Sequence, residues 1–108
     1  MQSSKTTVYD KLVRDRIPQI ITGTGKSCTT QILSDRAYME KLDEKLNEEL
    51  AEYQESKSLE ELADLLEVMH AVVKARGDSW ETLTRLREEK RKERGGFDKK
   101  ILLKEVTE

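Results

Sequence analysis

Glu49 and Glu52, followed by Glu61 and Asp64, make two acidic pairs in the middle of this chain, each spaced i, i+3. That spacing puts two carboxylates on neighbouring turns of one helix face. Tyr38 to Ala75 reads as two helices with a short connector, which fold back as an antiparallel hairpin and bring the pairs together. Four converging carboxylates suit magnesium. Hard divalent cations take oxygen ligands, and Mg²⁺ commonly uses one or two protein carboxylates while leaving its other positions to water and substrate phosphate. The acidic pattern therefore points towards phosphate chemistry.

The elements that must position these acids are marked by caps and stripes. Ser34 is suited to N-cap the first long helix, whose apolar stripe is Tyr38, Leu42, Leu46, Leu50 and Tyr53. At 100° per residue Glu49 falls on the border of that stripe and Glu52 just outside it, while Glu48 and Glu55 point further towards solvent. Ser58 with Glu61 has the spacing of a capping box for the second helix, built on Leu59, Leu62, Leu65, Leu66, Met69, Val72 and Val73. Val68 and Ala71 lie beyond that stripe on the side of Glu61 and Asp64, so these acids share a face with apolar neighbours and approach another helix. A dimer interface would explain this. Gly77 closes the second helix, and Asp78 with Glu81 offers a capping box for a third that runs to about Arg94 before Gly95 and Gly96.

The ends of the chain are less regular. Met1 to Thr7 is polar and expected to be loose, Val8 to Val13 suits a short extended segment, and Pro18 sits early in a brief helix or turn. Thr22 to Ser27 (TGTGKS) has a superficial likeness to a phosphate-binding loop. Ile20 stands where that loop needs glycine, and no strand and long helix bracket it, so the reading is rejected. Cys28 to Leu33 and Ile101 to Val106 have the composition of short strands and are expected to pair as a small sheet beside the helices. The fold expected is mainly α, an antiparallel helical hairpin or bundle with a small β element from the terminal segments, in one domain spanning 1–108.

Composition sets further bounds. For 108 residues, 35% hydrophobic content makes a thin core, so a partner chain is expected to complete it. A charged fraction of 39% would suit disorder if unpatterned, but the apolar residues recur at helical spacing. The net charge of −2 hides segregation: Glu40–Glu67 holds eleven acidic against three basic residues, and Arg85–Lys104 nine basic against four acidic. An acidic centre flanked by basic ends suits a metal-filled cluster whose phosphate ligand is gripped from outside. The lone Cys28 allows no internal disulfide, the first residues lack the apolar stretch of a secretory signal, and no run approaches a membrane helix; a cytoplasmic protein is expected. Nucleic-acid binding is not expected, because the basic segments are short and counterbalanced by acids.

Glu48 to Glu52 (EELAE) followed by Glu60 to Val72 (EELADLLEVMHAV) resembles the signature of the all-α nucleoside triphosphate pyrophosphohydrolase superfamily, nearest to its MazG-like or phosphoribosyl-ATP pyrophosphohydrolase-like branch. Tyr9 to Ile21 (YDKLVRDRIPQII) is similar to the opening of that branch, and Arg94 to Leu103 (RGGFDKKILL) to its closing segment. The resemblance implies metal ligands at Glu49, Glu52, Glu61 and Asp64, with Mg²⁺ as the cofactor and Mn²⁺ as a substitute. It implies cleavage of a nucleotide substrate between the α and β phosphates by a homo-oligomer, dimer or tetramer. Glu48 or Glu52 is the candidate catalytic base. Lys11, Arg14 and Arg16 at one end and Lys90, Arg91 and Arg94 at the other are the candidate substrate-binding clamps, since guanidinium forks match phosphate oxygens. The link from Tyr53 to Glu60 is shorter than in many members, which leaves no room for a long mobile loop there.

Blander assignments compete at several of these positions. The Arg14–Asp15–Arg16 run suits phosphate binding and salt bridges to the acidic helices equally well. Most of the basic third-helix run is accounted for by i, i+4 pairing with Glu88, Glu89 and Glu93, which leaves Arg94 as its best ligand candidate. His70 suits packing, as it has no second His or Cys at metal spacing, and Tyr38, Tyr53 and Trp80 suit a core or interface. A non-catalytic helical module that binds a nucleotide or a protein and oligomerises is the alternative to the enzyme.

Overall fold

The computed structural model describes residues 5–108, as four helices in the order α1 (Ile17–Gly23), α2 (Asp35–Ser56), α3 (Leu59–Ala75) and α4 (Trp80–Arg94). Of the segment 1–7 expected to be loose, residues 1–4 lie outside those described, and 5–7 belong to no element. The fold is mainly α, as expected. Pro18 opens α1 in its first turn, where a missing N–H costs nothing.

Serine caps set the boundaries of the three long helices. Ser34 Oγ accepts from the Ala37 N–H (3.2 Å) and starts α2. Its end is set by Lys57, which adopts the left-handed conformation (φ +57°) and donates its N–H to the Tyr53 carbonyl (2.7 Å). Ser58 then starts α3 at once, its Oγ accepting from the Glu61 N–H (3.3 Å). A connector this short forces α2 and α3 into an antiparallel hairpin, and they pack along each other. α3 closes with the Asp78 N–H on the Val73 carbonyl and the Gly77 N–H on the Lys74 carbonyl, both 3.0 Å, around a Gly77 at φ +83°. That bond pair is the Schellman closure, in which glycine takes the left-handed position at no Cβ cost.

Two sequence expectations are corrected here. The cap of α4 is Ser79, whose Oγ accepts from the Thr82 N–H (3.1 Å), one residue later than Asp78. Asp78 is occupied in closing α3. The small sheet does not form: among the described residues there is no strand, and 28–33 and 101–106 are unpaired. With Ile32 95% exposed and Ile101 80% exposed, neither segment buries the face that would repay pairing.

α4 joins α3 through Trp80, whose ring stacks on His70 with centroids 3.4 Å apart and planes 16° from parallel. His70 is thus a packing residue, as its surroundings in the sequence suggested. Asp43 and Arg76 (3.5 Å) bridge α2 and α3 near the open end of the hairpin. Within the hairpin Leu42 and Val68 are the buried apolar residues, and Glu49 is buried with them. The chain extends over 74 × 31 × 25 Å with a radius of gyration of 19.5 Å, against about 13 Å for a compact domain of this length. Leu50, Leu59, Leu62, Leu66 and Met69 remain exposed along the hairpin. No described helix is long and apolar enough to cross a membrane.

Candidate metal centre

The site lies at the connector end of the hairpin, where the last turns of α2 face the first turns of α3. Glu48, Glu49 and Glu52 offer three carboxylate oxygens within 4.8 Å of one another, and Glu49, Glu61 and Asp64 offer a second such set. Glu49 belongs to both triads. Of the four acids expected as metal ligands, Glu49, Glu61 and Asp64 are brought together in one set, and Glu52 joins them only through Glu49, in the set that includes Glu48.

Local structure explains why Glu61 is available. In a full capping box its carboxylate would turn back to the Ser58 N–H. Here Ser58 N–H donates instead to Ser56 Oγ (3.2 Å), so the box is made by half and the Glu61 side chain is left for the cluster. Glu49 is more deeply placed than its position on the stripe border suggested. Its side chain is about nine-tenths buried, and Oε2 has no hydrogen-bond partner. A buried carboxylate oxygen without a donor is costly. A cation among the acids would satisfy it.

The electrostatics divide the acids into two groups. Burial pushes the Glu49 carboxyl above the ordinary carboxylate range, and the neighbouring Glu52 carboxylate pushes the same way; Lys45 only partly opposes them. Burial also raises Glu48, but hydrogen bonds from Lys45 and Lys11 outweigh it and hold that carboxyl below the ordinary range. Lys45 Nζ lies 3.2 Å from Glu48 Oε1 and 3.4 Å from Glu49 Oε1. Burial lowers its pKa, yet the two carboxylates more than reverse that and leave it raised. Lys45 is a residue sequence reasoning missed. Its position three before Glu48 and four before Glu49 was the available signal.

The N-terminal cations reach the cluster. Lys11 Nζ lies 3.2 Å from Glu48 Oε1, and Arg14 Nη2 lies 2.7 Å from Asp64 Oδ1. Of the two tasks open to the Arg14–Asp15–Arg16 run, the pinning salt bridge is formed by Arg14. Among the described residues no ion pair links Arg16, Lys90, Arg91 or Arg94 to the acids. For the last three the reason is topological: α4 contacts α3 and not α2, and it starts at the end of the hairpin away from the cluster.

A six-coordinate Mg²⁺ with bonds of about 2.1 Å holds its oxygens about 3.0 Å apart when adjacent and about 4.2 Å apart when opposite, so a triad whose oxygens lie within 4.8 Å of one another would have to draw together to close on it. The donor set is all oxygen, as that ion requires. Glu49 Oε2 is the buried, unpartnered oxygen among them.

Comparison with known proteins adds little to this geometry. No protein-family profile matches the chain. A protein of Mycolicibacterium smegmatis (strain ATCC 700084 / mc(2)155), described as uncharacterized, is 50% identical over 42 residues, which cover 39% of this chain and 43% of that relative. No solved structure matches.

Proposed function

We propose that this protein is a Mg²⁺-dependent nucleotide pyrophosphohydrolase that cleaves a nucleoside triphosphate, or a phosphoribosyl-ATP-like nucleotide, to a monophosphate and pyrophosphate. The observation that carries the proposal is Glu49 Oε2, buried without a donor at the junction of two overlapping acidic triads. The similarity of EELAE and EELADLLEVMHAV to the pyrophosphohydrolase signature supplies the reaction class.

In this reading Glu49, Glu61 and Asp64 hold the metal, and Glu52, a member of the adjoining triad, stays off the ion. The bound ion would neutralise phosphate charge and align an attacking water for in-line displacement. Between the two candidate bases the surroundings favour Glu52. Glu48 is engaged by two ammonium groups that stabilise its ionised form and weaken it as a proton acceptor, whereas no ion pair among the described residues engages Glu52. Lys11 and Arg14 are the phosphate-binding residues within reach.

We propose also that the working form is a homo-oligomer. The chain exposes 10559 Å², against about 6,200 Å² for a compact monomer of its mass, and part of that excess is apolar surface along the hairpin. The stripe of Leu59, Leu62, Leu66 and Met69 is the surface to be covered.

The alternative module without turnover is favoured by one observation, that Lys45, Lys11 and Arg14 already pair with the cluster. Incubation of the purified protein with a panel of nucleoside triphosphates and phosphoribosyl-ATP, with and without Mg²⁺, separates the two. Mg²⁺-dependent release of pyrophosphate that Glu49→Gln reduces by at least about 100-fold supports the enzyme. Silence across the whole panel supports the module.

A further inference from the structure

The described chain before α1 forms no helix or strand. Of its apolar side chains only Leu12 is half-buried, while Val8, Tyr9 and Val13 are 75%, 71% and 46% exposed. The polar ties to the hairpin are two ion pairs, Lys11 on Glu48 and Arg14 on Asp64. Each of those carboxylates belongs to one of the two triads that share Glu49.

We infer that the Lys11–Arg14 segment is the cluster's built-in counter-ion, and that a divalent cation and this segment compete for the same carboxylates. The inference rests on the metal reading of the cluster. An ion among Glu49, Glu61 and Asp64 is repelled by a guanidinium held on Asp64, and one of the two must yield. The guanidinium yields at low cost, since the Arg14 and Lys11 side chains are 59% and 52% exposed and water takes over their solvation. Glu49 cannot turn to water, because its side chain is buried. The exposed cations therefore leave and the buried acid keeps the ion. Once released, Lys11 and Arg14 stand beside the loaded cluster, where the outer oxygens of a phosphate ligand would be presented. Pinning the segment and gripping phosphate thus become two states of the same residues, exchanged by the metal.

Calorimetric titration of Mn²⁺ at low ionic strength into the full chain and its Arg14→Ala and Arg14→Lys variants tests the inference, with helical content checked by circular dichroism. Competition predicts that Arg14→Ala binds Mn²⁺ about two- to five-fold more tightly, the size of one exposed ion pair, while Arg14→Lys stays near the wild type. It also predicts that Mn²⁺ speeds tryptic cleavage after Lys11 and Arg14 in the wild type. Binding to Arg14→Ala that is equal or weaker, or cleavage that Mn²⁺ leaves unchanged or slows, would overturn the inference, and Arg14 would instead be a residue that positions Asp64. A wild type that takes up no Mn²⁺ would overturn the metal reading itself, a separate failure visible in the same titration.

Discussion

Glu49 combines two properties that rarely coexist in a stable helix, a buried carboxylate and an oxygen without a donor. Its raised pKa means that the folded state binds a proton more readily than the unfolded chain. Stability attributable to this group is therefore fully present below about pH 4.5, the ordinary carboxyl value, and is lost as pH rises through the raised value. Glu48 runs the opposite way: its contribution is present above pH 4.5 and is lost as pH falls through its lowered value. Replacing Glu49 by Gln removes the buried charge while keeping the shape. In chelator at pH 7 to 8, Glu49→Gln is expected to melt a few degrees above the wild type, about 1 kcal/mol, with the difference shrinking towards pH 4.5. With millimolar Mg²⁺ the order should reverse, since the wild type alone gains stability from the ion. Thermal melts over pH, with and without Mg²⁺, check both signs. Much of the cluster could be read from spacing alone, because i, i+3 carboxylates on two facing helices meet wherever the connector is short. The depth of Glu49 could not be read, since it depends on how closely α3 approaches α2. Nor could Lys11 and Arg14 be assigned, because their partners Glu48 and Asp64 lie 37 and 50 residues away.

At the scale of the element, serine caps carry the boundaries. Ser79→Ala should destabilise the protein by about 1 kcal/mol, while Asp78→Ala should stay within about 0.5 kcal/mol. Denaturant melts that reverse this order would return the cap to Asp78. Helix boundaries were legible because Ser34, Ser58, Gly77 and Gly95 act locally: each satisfies or ends a helix through groups a few residues away. Asp78 and Ser79 are both good cap residues, and the choice between them was decided by the Schellman bond that engages Asp78. The expected strands failed for the opposite reason. A strand is completed by an edge from elsewhere in the chain, and β-rich composition at 28–33 and 101–106 carries no information about whether that edge exists.

The whole molecule is an elongated chain with, among the described residues, two buried apolar side chains and a long exposed apolar stripe. Such a core is too small to repay the entropy of ordering about 100 residues, so folding and association should be coupled. Sedimentation is expected to give a dimer or larger at micromolar concentration. Leu62→Glu with Leu66→Glu should shift it towards monomer and lower the melting temperature by more than 10 °C. A wild type that sediments as a monomer with an unchanged melting temperature across a hundredfold dilution would contradict this. Thin apolar content foretold incomplete burial.

The central claim is that the connector end of the hairpin holds a divalent cation between α2 and α3. Anomalous diffraction from crystals soaked in Mn²⁺ tests it most directly. The account predicts a peak about 2.2 Å from carboxylate oxygens of Glu49, Glu61 and Asp64, with Arg14 withdrawn from Asp64. A cluster without a peak, with Arg14 and Lys11 still seated on Asp64 and Glu48, would contradict it.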